Sequence, residues 1–209
     1  MWNAKRKGKW AMRVIAGKYK RTPIKTLEGE DITRPTKDMV KEALFSSIQI
    51  YNDTKFLDLF SGTGSIGIEA LSRGAEEVIF NDINKQAIKI INANLEKVHE
   101  DRMVLNLDYQ ECLKRLDGHT FDYIYCDPPY AFSAYEDIFF YVNKYNLLDK
   151  KGIMIMEVRK DTELNDDYLG IIKFKEKRYG INKLLYYRKE QIWLKQYILE
   201  PLILLQLDI

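Results

Sequence analysis

The chain has 209 residues, 46% of them apolar and 31% charged, with a formal net charge of +2. That length can bury a full single-domain core, and the composition is ordinary for a globular protein. No uncharged apolar run reaches the roughly 20 residues a membrane helix needs. The N-terminus lacks the apolar stretch of a secretory signal, and Cys112 and Cys126 form no metal-ligand spacing with His99 and His119. These features argue against a helical membrane protein, a disulfide scaffold and a zinc module. Free thiols suit a reducing cytoplasm, and no metal site is expected.

Charge is unevenly spread. From Met1 to Leu27 there are nine basic residues and no acidic one, so the remainder carries −7 (+2 less nine). Such asymmetry suggests a polyanion-binding arm, with a solvated mobile tail as the alternative. Trp2, Trp10 and Tyr19 interleave with the charges, and aromatic rings stack on unpaired bases. Met12-Arg13-Val14-Ile15-Ala16-Gly17 followed by Lys18-Tyr19-Lys20-Arg21 predicts a short strand or hairpin. After Thr33-Arg34-Pro35-Thr36, the residues Met39, Val40, Ala43, Leu44 and Ile48 recur at three- and four-residue steps and predict a helix, with Asp38 in its first turn.

From Lys55 onward short apolar runs alternate with helical patterns. Strands are predicted at 56–60, 78–82, 103–107, 121–126 and 153–158, and helices at 65–73, 85–98, 110–116 and 134–145. Strands alternating with helices imply βαβ units and a mostly parallel sheet covered on both faces. Segments 171–178 and 183–188, joined through Tyr179-Gly180-Ile181-Asn182, predict an antiparallel hairpin. A doubly wound α/β sheet closed by such a hairpin is the architecture expected of class I methyltransferases.

Two motifs carry chemistry. In Asp58-Leu59-Phe60-Ser61-Gly62-Thr63-Gly64, Asp58 ends a predicted strand, and Gly62 and Gly64 form the turn into a helix. Open α/β sheets bind ligands at such strand ends. Gly67 completes a Gly-x-Gly-x-x-Gly by count, a fingerprint that alone could equally mean NAD. Asp82, about twenty residues beyond the glycines, has the spacing of a ribose-binding carboxylate. Asp108 could accept from an adenine amine or serve as a helix N-cap. Phe60 could line the methionine end of S-adenosylmethionine or lie in the core.

The second motif, Asp127-Pro128-Pro129-Tyr130, directly follows a predicted strand. An exocyclic base amine is a poor nucleophile because its lone pair is delocalised into the ring. Asp127 can accept one amine N–H and the Pro128 carbonyl the other, which aims the lone pair at an incoming methyl. Pro128 and Pro129 stiffen the backbone and add no competing donors. Acceptors held in place stabilise the charge that develops on nitrogen. Tyr130 offers a ring for an extruded base. A rigid surface turn is the alternative.

With both motifs placed, the chain resembles the RsmD family of bacterial methyltransferases, which modify the N2 amine of a guanine in 16S ribosomal RNA. The resemblance runs from about Met12 to Lys189. It rests on Met12 through Gly17, Arg34-Pro35-Thr36, Glu42-x-Leu44-Phe45, the block Asp58 through Gly74, and Asp127 through Tyr130. It implies the guanine(966)-N2 activity, with S-adenosylmethionine held by Asp58, Gly62, Gly64, Asp82 and Asp108. Asp127, Pro128, Pro129 and Tyr130 would hold the base. Arg13, Lys18, Lys20, Arg21 and Arg34 would meet the RNA, although Arg34 could instead brace its helix. The expected partner is 16S rRNA or the small subunit, with the chain acting as a cytoplasmic monomer. Against this pattern, residues 1–11 form a basic extension and 190–209 an apolar tail around a methyltransferase domain at 12–189, whose first part is a basic segment at 12–54. A DNA adenine-N6 methyltransferase and a non-catalytic RNA-binding protein are the competing readings; no target-recognition insertion of the kind DNA enzymes carry fits in this length.

Overall fold

The computed structural model describes residues 12–26 and 34–190, with 34–37 as backbone only. The N-terminal extension with Trp2 and Trp10, the tail from 191 onward, and the side chain of Arg34 lie outside the described residues. Helix α1 (Arg34–Phe45) precedes the alternating elements β1 (Lys55–Asp58), α2 (Ser65–Ser72), β2 (Glu77–Asn81), α3 (Lys85–Lys97), β3 (Val104–Leu105), α4 (Tyr109–Arg115), β4 (Phe121–Cys126) and α5 (Tyr135–Lys144). β5 (Leu148–Arg159), β6 (Asp167–Tyr168), β7 (Ile171–Tyr179) and β8 (Asn182–Lys189) follow.

All eight strands join one sheet in the order β3-β2-β1-β4-β5-β8-β7-β6. The first five strands pair parallel, and β8 and β7 add antiparallel beyond β5. Side chains on successive strand residues point to opposite faces. Thus Phe56, Val78, Phe80, Tyr125 and Ile155 pack with Leu44, Ile68 and Ile91, while Leu57, Ile79, Ile124, Met154 and Met156 pack with Leu113, Ile138 and Phe139. Helices cover both faces, which explains why the strands read as continuous apolar runs. Strand order reverses between β1 and β4, and both motifs lie at the carboxyl ends of those two strands.

Some boundaries differ from expectation. β5 begins at Leu148 rather than at 153, because Asp149-Lys150-Lys151-Gly152 looks like a turn yet continues the strand past a register shift opposite Phe121 and Tyr123. β3 shrinks to two residues, and β6 was not anticipated. α1 starts at Arg34, with Pro35 tolerated in its first turn, so Asp38 belongs to the second turn.

The basic segment 12–26 is docked rather than a free arm. It closes on itself through a single antiparallel bridge, Arg13 to Pro23, and the Val14 N–H donates to the Thr22 carbonyl (3.0 Å). Its turn lies on α2. The amides of Ile15 and Ala16 donate to the Glu69 carboxylate at 2.7 and 3.0 Å, and that of Tyr19 to Ser72 Oγ at 2.9 Å. Gly17 has φ +80°, and a Cβ there would lie 1.7 Å from the Ser72 carbonyl oxygen. Only glycine fits that approach.

Candidate active site

The turn after β1 is built from backbone. Leu59 N–H donates to the Tyr125 carbonyl (3.0 Å), Ser61 N–H to that of Asn81 (2.9 Å), and Gly64 N–H to that of Ser61 (2.7 Å). Gly62 and Gly64 take φ of +53° and +76°, the left-handed region that side chains disfavour. Nothing lies within 4 Å of a Cβ built on Gly62, so the turn presents an open face there. Gly67 serves packing instead: a Cβ would fall 2.2 Å from the Phe80 ring. α2 starts without a side-chain cap at Gly64, which leaves a helix N-terminus suited to an anionic group beside the turn.

Asp58 is buried. One carboxylate oxygen, Oδ2, accepts from Gly67 N–H at 3.0 Å, and the other has no hydrogen-bond partner. Burial pushes its pKa from 3.8 to about 7, with Asp82 adding to the rise and the Gly67 amide opposing it. A buried carboxyl with one oxygen unsatisfied suits a cationic or donor ligand group.

A cavity of about 410 Å³, within the size range of small-molecule sites, opens at this point. Asp58, Phe60, Gly62 and the whole of Asp127-Pro128-Pro129-Tyr130 line it together. Pro128 is buried, whereas Asp127, Pro129 and Tyr130 are exposed, Tyr130 at 61%. The Pro129 carbonyl accepts from Phe132 N–H (2.8 Å) and closes the loop. The Arg159 guanidinium lies 5.8 Å from the Tyr130 ring centroid. Phe60 also packs edge-on to Phe132 and tilted against Tyr109, so it serves the core and the cavity at once.

Three expected cofactor residues do not line this cavity. Gly64 shapes the turn from behind, against Ile91 and Phe80. Asp82, half-buried at the end of β2, accepts from Gly62 N–H and Asn84 N–H, both at 2.8 Å. Asp108 caps α4, its Oδ1 accepting from the amides of Gln110 (2.8 Å) and Glu111 (2.9 Å). The capping role is therefore real, and Oδ2 takes no part in it.

Arg13, Lys18, Lys20 and Arg21 are all exposed. Lys18 Nζ, however, pairs with Glu100 at 2.7 Å and lies 4.7 Å from the Tyr19 ring centroid. The Tyr19 hydroxyl donates to the same carboxylate. Tyr19, expected to be a free stacking ring, is thus committed within the chain.

Sequence reasoning missed several cavity residues. Lys41 of α1, 2% exposed, donates to the Arg13 carbonyl (2.6 Å) and to Ser65 Oγ (3.0 Å), and lies 4.0 Å from Glu69. Burial lowers its pKa despite Glu69 nearby. Its place beside Val40 and three residues before Leu44, on the apolar stripe of the helix, was the available signal. Glu157 and Asn182 also line the cavity, and no local motif marks them. Among the described residues no cluster of potential metal ligands occurs, and no helix is long and apolar enough to cross a membrane.

The sheet order, with the cavity at the β1–β4 reversal, is that of the class I S-adenosylmethionine-dependent methyltransferase fold. Residues 12–188 match the family model described as Conserved hypothetical protein 95. The chain is 35% identical to the Bacillus subtilis protein YlbH over 185 residues, spanning 85% of this chain and 99% of that one. It is 33% identical over 161 residues to ribosomal RNA small subunit methyltransferase D of Haemophilus influenzae, covering 75% and 83%. The crystal structure of HI0767 from Haemophilus influenzae matches with a TM-score of 0.71 at 28% identity, covering 87% of this chain and 99% of that one. The chain belongs to the RsmD family.

Proposed function

We propose that this protein transfers a methyl group from S-adenosylmethionine to the exocyclic N2 amine of a guanine in 16S rRNA of the small subunit, at position 966. The observation that carries the reading is the single cavity shared by Asp58, the Gly62 turn and Asp127-Pro128-Pro129-Tyr130. When bound, the cofactor supplies a methyl group on a cationic sulfonium. Its amino group suits the unpaired oxygen of Asp58, and its backbone suits the open face of Gly62. Asp82, which accepts from Gly62 N–H, would meet the ribose, and Asp108 the adenine.

At the other end, Asp127 accepts an N–H of the target amine and orients its lone pair. Negative charge fixed there stabilises the positive charge growing on nitrogen, without reorganisation at the moment of reaction. Because Asp127 is exposed, the proton that the methylated amine must lose passes through it to solvent. Tyr130 supports the extruded base. Lys20 and Arg21, exposed on the docked segment, would contact phosphates. The protein is proposed to act as a monomer in the cytoplasm.

Replacing Asp127 with Ala separates the two ends. The expected outcome is a loss of about 10³-fold in single-turnover methyl transfer, with cofactor affinity by calorimetry changed by less than about threefold. A collapse of cofactor affinity that tracks the lost rate would show that Asp127 belongs to the cofactor end.

A further inference from the structure

Beside the catalytic loop, the cavity is lined by Glu157 and Asn182, which come from strands far apart in sequence. Glu157 is 8% exposed; its Oε2 accepts the Tyr125 hydroxyl and its Oε1 accepts Asn182 Nδ2 at 2.7 Å. Tyr125 is fully enclosed, and burial together with Glu157 holds its pKa far up, so it remains a neutral donor committed to this carboxylate. The bond to Glu157 also fixes the Asn182 amide, since the reverse orientation would set its oxygen against a carboxylate. Asn182 Oδ1 is then left buried with no partner. Lys160 N–H holds the hairpin turn in place through the Ile181 carbonyl (2.9 Å). Glu157 and Asn182 meet Asp127 and Tyr130 again around a void of about 10 Å³ behind the loop.

The carboxylates of Asp127 and Glu157 line the cavity as acceptors, and Asn182 Oδ1 lies buried beside Glu157. Each carboxylate oxygen of Glu157 keeps a further lone pair after its bond. Base edges answer such a surface differently. Guanine places N1–H next to its N2 amine, a contiguous row of donors. Adenine, cytosine and 2,6-diaminopurine put an acceptor ring nitrogen beside their amine, which would oppose a carboxylate.

Resting on the proposed transfer to a base amine, we infer that Glu157, held in place by Asn182, selects guanine by accepting its N1–H while Asp127 accepts the N2 amine. Asp127-Pro128-Pro129-Tyr130 alone does not distinguish guanine from adenine. The Glu157–Asn182 pair supplies the distinction by leaving an unsatisfied acceptor against any base that lacks N1–H.

The test is single-turnover transfer of labelled methyl to small subunits reconstituted with rRNA carrying either guanine or 2,6-diaminopurine at the modified position. Both bases have the 2-amino group, and only guanine has N1–H. The wild-type protein should prefer guanine by at least ~100-fold, as sites built around a substrate N–H reject analogues that lack it. In Glu157→Gln, whose amide can donate to N1, the preference should fall below ~10-fold, with cofactor affinity by calorimetry unchanged. Asn182→Ala should narrow it in the same direction and serves as the second variant if Glu157→Gln does not fold. Equal wild-type rates on the two bases would overturn the inference without any variant. So would variants that lose both rates in proportion, which would make the pair a scaffold only. Absence of wild-type transfer to either base would instead overturn the reading on which the inference rests.

Discussion

The two ends of the cavity are built in opposite ways. The proposed cofactor end is a backbone structure: one continuous turn from Asp58 to Gly64, tied by main-chain hydrogen bonds and braced by the buried α2. The proposed target end is assembled from residues of the β4 loop, β5 and the β7–β8 turn, and much of it is exposed. A site that binds one invariant small molecule can be rigid and buried. A site that admits a nucleotide from a large RNA needs an open rim, with selectivity carried by a few fixed groups behind it. The comparison predicts that substitutions at the cofactor end act on folding, and those at the target end on catalysis.

The largest effect should come from Glu69, which is fully buried on α2 and accepts from Ile15 N–H, Ala16 N–H and, at 2.8 Å, Arg73 Nε. Glu69→Ala removes those acceptors and leaves Lys41 buried without its nearby carboxylate. It should cost ~3–5 kcal/mol in chemical denaturation. A cost below ~1 kcal/mol would mean that the docked segment contributes little to this end.

Tyr130→Ala probes the other side of the contrast. Stability should stay within ~0.5 kcal/mol, because the ring is largely exposed. Transfer efficiency should fall by the equivalent of ~1–3 kcal/mol of lost base stacking. Unfolding that tracks the lost activity would erase the distinction between the ends.

Asp58 ties the cofactor end to pH. In the free protein its carboxyl titrates at about 7, against 3.8 for an ordinary aspartate. Between those values the folded chain holds a proton that the unfolded chain releases, so this group makes stability decline as pH rises through that window. A bound cationic amino group favours the carboxylate, so cofactor affinity should climb with pH up to about 7, by at most ~10-fold per unit, and then level off. Calorimetry across buffers should register proton release below pH 7, and Asp58→Asn should remove the dependence. Affinity that is flat with pH in the wild type would place the amino group elsewhere.

The smallest effect belongs to the basic segment. Replacing Lys20 and Arg21 with Ala should reduce the salt slope of RNA binding by about one unit per lost phosphate contact. Lys18→Ala should do less, because Glu100 already compensates that charge. An equal effect from Lys18 would show that the ion pair opens on binding.

The same contrast explains what could be read from the residues in order. The part of the cavity lined by Asp58, Phe60 and Gly62 was legible because these residues lie within one short segment. Asp127 through Tyr130 was legible for the same reason. The parallel sheet followed from its apolar runs, whereas β5 was shortened because Asp149 through Gly152 mimic a turn. Glu157 and Asn182 were legible only as strand and turn residues, since the β5–β8 pairing is what brings them together at the cavity. The docking of segment 12–26 was hidden likewise: its partner, Glu69, reads as one charged residue on a short, mostly apolar helix until the fold buries it.

The most direct measurement is transfer from methyl-labelled S-adenosylmethionine to small subunits that lack their native modification, followed by nucleoside analysis of the product. Label is expected in N2-methylguanosine of 16S rRNA, dependent on Asp127. Label in an adenine derivative, or none at all while the cofactor still binds, would contradict the proposed transfer.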